Sequence, residues 1–412
     1  MQTHYPVIIV GGGQAGLALS YLLKQNNIDH LIFEKHKIGH AWRNERWNSF
    51  CLVTPNWQCR LPGFPYAGPD PTGFMAKEEI VSYLEAYARS FNPPIREGVT
   101  VSKVSSAGTK FAVKTSIGNY TADQVAIATG GYHVPKIPPI AAQLPRELQQ
   151  IHSVQYKNPQ DLPDEVLIVG TGQSGCQIAE DLHLAGKTVH LVTGSAPRAP
   201  RRYRGKDVVE WLERMGYYDL PIDQHPQKEM VRHKTNHYVT GRDGGRDIDL
   251  RRFAQQGMHL YGRLQSITRQ TLHFGKDLKH NLDQADATVV RIQRNIDKFI
   301  ADNNITAPPE AHYQPVWEPE LEPSSLNLKE TNIGAVIWAT GFRLNFSWID
   351  LPIFNELGEP LHDRGVTAVD GLYFLGLPWL YTWGSGRFSG VARDAEYLAT
   401  QITARLLVPA SA

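Results

Sequence analysis

The sequence predicts an α/β protein with two Rossmann-like dinucleotide-binding domains, the second inserted into the first. Three observations predict it. VIIVGGGQAG at residues 7–16 and VLIVGTGQSG at residues 166–175 write one strand–glycine–helix signature twice. An apolar strand ending in Ala-Thr-Gly follows each copy, at residues 125–130 and 336–341. The chain after residue 341 returns to a buried strand, residues 371–376, and a final helix from about residue 391. The expected boundaries are 1–158 and 333–412 for the two parts of the first domain and 159–332 for the inserted one.

In the first copy, Val7 to Val10 is a β-branched run suited to a strand buried on both faces. Gly11 permits the tight turn, Gly13 lets a pyrophosphate approach the backbone, and Gly16 lets helix and strand pack closely. Gln14 and Ala15 open the helix, whose N-terminus offers amide donors and a positive dipole end. The next strand, residues 30–33, ends in Glu34, placed to bind a ribose hydroxyl; Lys35 beside it and Val101 are assigned to the same ligand. Ala128, Thr129 and Gly130 let the chain pass close to that ligand.

In the second copy Gly170, Gly172 and Gly175 take the three glycine places, with Gln173 and Ser174 at the helix start and Ala339, Thr340 and Gly341 as the small-residue strand end. Its second strand ends in Thr193-Gly194-Ser195, without an acid that would repel a 2′-phosphate. Arg198, Arg201 and Arg202 follow, and are expected to favour NADPH over NADH. The acid-tipped copy suits FAD. A chain that holds both can pass a hydride between them.

The order GxGxxG, ATG, GxGxSG, ATGF resembles the two-dinucleotide flavoproteins, and more narrowly the class B flavin-dependent monooxygenases: flavin-containing monooxygenases, Baeyer–Villiger enzymes and N-hydroxylases. The segment 151–159, IHSVQYKNP, is similar to that family's linker fingerprint, and Gly39-His40-Ala41-Trp42-Arg43 looks like its loop beside the flavin. Residues 46–55, 61–65 and 383–391 are similar to a bacterial branch of the monooxygenase type. The resemblance implies an FAD-dependent, NADPH-consuming monooxygenase that oxygenates a small molecule with O2 through a C4a-(hydro)peroxyflavin. It places Trp42, Arg43 and Trp47 near the flavin, makes Arg43, Thr54 and Asn56 the catalytic candidates, and brings backbone at Gly376 and Gly386 to the ring and ribityl chain. Pro55 stands where relatives carry an asparagine after the threonine. Trp379, Tyr381 and Trp383 are expected above the ring, and the arginines of the loop 241–247 over NADPH or substrate.

Composition narrows the alternatives. With 412 residues and a net charge of +1, the chain can bury a large core and has no global field for nucleic acid or an anionic membrane. Its three cysteines, Cys51, Cys59 and Cys176, lack CxxC spacing, which speaks against a disulfide reductase and fits a cytoplasmic protein. His233, His237 and His259 have no metal-ligand spacing with acids or cysteines, so no metal is expected. A peroxide-forming NADPH oxidase and a non-catalytic redox sensor remain open. Leu278, Leu282, Ala285, Val289, Ile292, Ile296 and Phe299 predict a helix of about 27 residues with one apolar stripe, packed on its own domain or in a homodimer.

Overall fold

The computed structural model describes residues 3–407. β1 (His4–Val10) is almost wholly buried, as a strand between parallel neighbours must be. α1 (Gln14–Gln25) returns the chain to β2 (His30–Glu34), parallel to β1. A long loop, α2 (Lys77–Phe91) and β3 (Ile95–Glu97) extend that edge. On the other side β4 (Val101–Ala107), β5 (Lys110–Thr115) and β6 (Gly118–Ile127) form an antiparallel meander, and β6 pairs parallel with β1.

The second sheet comprises β7 (Gln149–His152), β8 (Glu165–Val169), β9 (Thr188–Val192), β10 (His259–Tyr261) and β11 (Ile333–Trp338). Its order is β7-β11-β8-β9-β10, and every pair is parallel. α3 (Gln173–Leu184) connects β8 to β9, while α4 (Leu250–Gln255) precedes β10. α5 (Leu278–Asp302) runs 25 residues and buries Leu278, Leu282, Ala285, Val289 and Ile296. That stripe is covered by its own chain, by the second-sheet core at its start and by Tyr203 and Trp211 near its end. Residues 303–324 form neither helix nor strand, as five prolines between 307 and 323 dictate.

β12 (Leu372–Phe374) then pairs parallel with β6, so the chain re-enters the first sheet only after the second is complete. α6 (Val391–Leu407) packs along α1 and closes the first core. Among the described residues, no helix is long and apolar enough to cross a membrane.

The arginines after β9 correct one expectation. Arg198 is 2% exposed and Arg201 1% exposed, and both are held by carboxylates of the chain itself. Arg198 Nε lies 2.8 Å from Asp286 Oδ1 on α5, with Asp249 at 3.5 Å and the Tyr313 ring stacked on the guanidinium. Asp286 is shared with Arg251, 2.7 Å away, which also holds Asp283 and Glu318. Arg201 pairs with Asp207 and donates to the Val53 carbonyl. Arg202 alone stays exposed, and donates to Gly244 and Gly245 carbonyls. A buried cation must have a partner, and here carboxylates distant in sequence supply it.

Arg198→Met would leave Asp286 and Asp249 short of a counter-charge inside the second domain. Denaturant unfolding at neutral pH should show a loss of about 3–5 kcal/mol. The ratio of NADPH to NADH affinity should not change. A selective loss of NADPH affinity at unchanged stability would restore the arginine to the phosphate.

Candidate functional site

Each cradle depends on the same two close approaches. Gly11 has φ +109°, and a side chain there would put its Cβ 2.6 Å from the Ala128 carbonyl oxygen. Gly170 has φ +112° and meets the Ala339 carbonyl oxygen at the same 2.6 Å. Gly16 and Gly175 sit directly on the carbonyls of Gly11 and Gly170, so a methyl at either would overlap the turn. The Ala-Thr-Gly strand ends are therefore the floor on which each glycine turn rests. Ala128 N–H donates to Val10, and Ala339 N–H to Val169.

The positions facing outward are different. A Cβ at Gly13 would meet nothing within 4 Å, and α1 has no side-chain cap on its first amides. An open, uncapped helix start fits a pyrophosphate. Glu34 is held at the tip of β2 by the amides of Gly12 (2.7 Å) and His36 (2.8 Å), and Lys35 beside it is exposed. Val101 lies two residues beyond Val99, whose N–H donates to the Glu34 carbonyl. Thr129 is exposed, with Gly130 after it at φ +73°. In the second cradle, α3 likewise lacks a side-chain cap. Thr171 Oγ1 accepts from Gly194 N–H (2.9 Å) and ties the acid-free tip of β9 to the turn. Ser174 is half-buried in the first turn of α3.

A loop closes over each cradle, and the glutamine after the second glycine holds it. Gln14 donates to the Gly386 carbonyl (2.9 Å), and Gln173 to that of Val239. Gly376 packs on Ala15, and Gly386 on Gly376. Over the second cradle, the Thr235 methyl lies 3.8 Å from where a Gly172 Cβ would be. The two loops touch, for Arg387 donates to Asn236 Oδ1 (3.1 Å). The linker contributes His152, whose Nε2 lies 2.9 Å from the Gly341 carbonyl and so carries the proton. Thr340 Oγ1 bonds the Lys136 carbonyl.

Buried polar contacts hold the two units together. Asp181 on α3 accepts from Ser49 (2.7 Å), from the Tyr156 hydroxyl (2.6 Å) and from Arg242. Glu180 pairs with Arg246 at 2.9 Å. Arg242 and Arg246, expected over a ligand, are thus engaged by the acids Asp181 and Glu180 of α3.

Several further site candidates have structural roles in their place. Arg43 is 2.5 Å from Glu85 on α2. Asn56 is buried, with its amide donating to Asp70 and its oxygen accepting from Met75, so neither end is free. Thr54 is half-buried beside them. Trp47 is 4% exposed and packs on Phe50 and Tyr156 at the interface, while Trp42 stacks on Phe388 at 5.6 Å. Trp379 is buried against Ile222 and Val231, Tyr381 stacks on the Arg364 guanidinium, and Trp383 packs on Tyr218. These aromatics seat the insertion 217–233.

Sequence reasoning assigned no role to Arg46, Arg387 or Asp394. Asp394, 1% exposed in the first turn of α6, lies beneath the loop that closes the first cradle. Burial pushes its carboxyl up to about 6, against smaller opposing pulls from Ser385 and Arg364. The helix N-terminus favours the anion, but desolvation wins.

Gly13→Val and Gly16→Ala should separate binding from folding. Gly13→Val, with open space around it, should keep its Tm and lose bound flavin. Gly16→Ala should lower Tm because the turn itself must move. Equal Tm losses would refute the distinction. For Asp394 the folded pKa is above the unfolded value of about 4. The stability it contributes is present below pH 4 and lost by pH 6. Asp394→Asn should therefore stabilise by about 2–3 kcal/mol above pH 6 and by nothing below pH 4, read from urea unfolding across pH.

The model of the family described as pyridine nucleotide-disulphide oxidoreductase matches residues 8–250. A protein of Geobacillus kaustophilus, named uncharacterized oxidoreductase CzcO-like, is 35% identical over 406 residues, covering 98% of this chain and 99% of its own length. A probable indole-3-pyruvate monooxygenase of Arabidopsis thaliana, YUCCA10, is 33% identical over 213 residues, 49% of this chain and 54% of that one. The fold matches the flavin-containing monooxygenase of Stenotrophomonas maltophilia with a TM-score of 0.68 and 21% identity, over 98% of this chain and 100% of the other. The chain belongs to the pyridine nucleotide-disulphide oxidoreductase family of flavoproteins, in its class B flavin monooxygenase-like group.

Proposed function

We propose that the protein is an FAD-dependent, NADPH-consuming monooxygenase that oxygenates a small molecule with O2. The observation that carries this reading is the pair of complete cradles whose closing loops meet at Arg387 and Asn236. The first cradle, with its open Gly13 and held Glu34, would take FAD through Gly11, Gly13, Gln14, Ala15, Gly16 and Glu34. The second, without an acid at Thr193-Gly194-Ser195, would take NADPH. Bound flavin supplies hydride acceptance and oxygen activation. The chain's own part is to place the two ligands, exclude water and hold charge. The similarity to a probable indole-3-pyruvate monooxygenase supports the reaction class.

Disulfide chemistry is not supported by the residues. Cys51, Cys59 and Cys176 are free and buried, and no pair of them is bridged. Burial pushes the thiols of Cys51 and Cys59 up to about 11 and about 12, and that of Cys176 well above its usual value, so none is a ready thiolate at neutral pH.

Reconstituted protein should show flavin bleaching by NADPH under anaerobic conditions, faster than by NADH. With ¹⁸O2 and a set of small amines, sulfides, ketones and aromatic acids, one ¹⁸O atom should appear in a product and hydrogen peroxide should fall correspondingly. Stoichiometric peroxide with every compound in the set would make the protein an oxidase and sink the monooxygenase reading.

A further inference from the structure

Among the described residues, buried polar atoms without a hydrogen-bond partner gather at the start of α6. They are the Ser389 hydroxyl just before it, both carboxylate oxygens of Asp394 in its first turn, and Arg364 Nε, 3.9 Å from Asp394 Oδ1. Other buried acids are satisfied: Asp181 has three donors, and Asp286 two arginines. The Arg364 guanidinium stays beyond bonding reach, held between the Tyr381 and Tyr397 rings at 4.0 and 4.2 Å. Arg393, on α6 itself, is turned to Asp219 and the Tyr218 carbonyl. The Ser385 hydroxyl accepts from the Tyr381 and Thr382 amides at 3.0 and 3.1 Å and pulls only weakly on the carboxyl. A carboxylate in this place is costly, and burial lifts it accordingly to about 6.

The fold brings this carboxyl to the first cradle. β1, β6 and β12 run parallel and end at one edge of the first sheet. α1 leaves that edge directly after Gly13, and α6 leaves it after the loop 376–390 and packs along α1. The loop rests on the cradle, since Gly376 packs on Ala15, Gly386 on Gly376, and Gln14 holds the Gly386 carbonyl. Both helices therefore begin where the glycine turn lies, and both direct the positive end of their dipole there. α6 differs from α1 in carrying an acid in its first turn. Ionised, Asp394 cancels that positive end; protonated, it releases it.

We propose that Asp394 is the proton acceptor coupled to reduction of the flavin in the first cradle, ionised while the ring is oxidised and protonated once it is reduced. The proposal rests on flavin occupancy of that cradle and deepens the reductive half of the proposed reaction. When NADPH gives up a hydride it becomes NADP⁺, the ring gains one negative charge, and solvent supplies one proton to the carboxylate. Two like charges in a poorly solvated region repel, so charge added to the ring favours the neutral acid. The neutral acid in turn leaves the α6 dipole free to face the reduced ring.

The test is electrochemical reduction of flavin-loaded protein without NADPH or O2, so the result does not depend on what the reduced ring does afterwards. The slope of the midpoint potential against pH, taken around neutrality, gives the protons taken up per two electrons. Wild-type protein should take up about half a proton or more beyond Asp394→Asn. Infrared difference spectra of the wild type should show the carbonyl band of a protonated carboxylic acid appearing on reduction and vanishing on reoxidation. Asp394→Asn should lack that band. An acid with a structural role alone would alter the stability of the variant and leave the proton count as it was. Equal proton uptake in the two proteins, or no acid band in the wild type, would overturn the proposal. So would a band retained in Asp394→Asn, which would give the proton to another acid.

Discussion

The closeness of backbone to backbone at Gly11 and Gly170 is the constraint on which both halves depend. In each, an alanine carbonyl fills the space a side chain would need, at 2.6 Å from the missing Cβ. That contact fixes which strand must lie beside the glycine strand: β6 beside β1, and β11 beside β8. β11 comes 164 residues after β8, so the strand that floors the second cradle arrives only at the end of the inserted unit. The chain can close that cradle only by completing the insertion before it returns to the first sheet.

A second constraint holds the two units in register. Asp181 is buried in α3, and a buried carboxylate requires donors. Three come from separate stretches: Ser49 from the first unit, Tyr156 from the linker and Arg242 from the insertion. Removing one donor leaves a charge in a poor environment, so the contacts resist separation together. Arg201 adds a bond to the Val53 carbonyl from the same loop. This clamp keeps the loops over the two cradles near enough for Arg387 to reach Asn236.

The cradles were legible because their requirements are local. A glycine at positive φ and a helix three residues later are needed whatever surrounds them, and Gly11, Gly13 and Gly16 announce them within six residues. The periodic stripe of α5 was legible for the same reason. Arg198 and Arg201 were misleading because their meaning lies in Asp286, Asp249 and Asp207, and spacing cannot say which acid reaches which arginine. Asn56 and Arg43 likewise have partners that spacing could not reveal: Met75, Asp70 and Glu85 come from neighbouring segments that fold back. Trp379, Tyr381 and Trp383 lie in the expected loop, but an insertion without sequence periodicity covers them. Asp394 was hidden in plain view, since what distinguishes it is the partner that is missing.

The difference between the two cradles bears on how they work together. Around Gly13 there is only open space, whereas Gly172 already has Thr235 beside it. Anything filling the second cradle therefore meets the segment 235–239, which Gln173 holds at Val239. The same segment carries Asn236, and Asn236 accepts from Arg387, next to the residue that Gln14 holds over the first cradle. Polar contacts thus run from one glycine turn to the other through a single arginine, with no acid to neutralise it. The half-buried guanidinium at that junction is in contact with both closing loops.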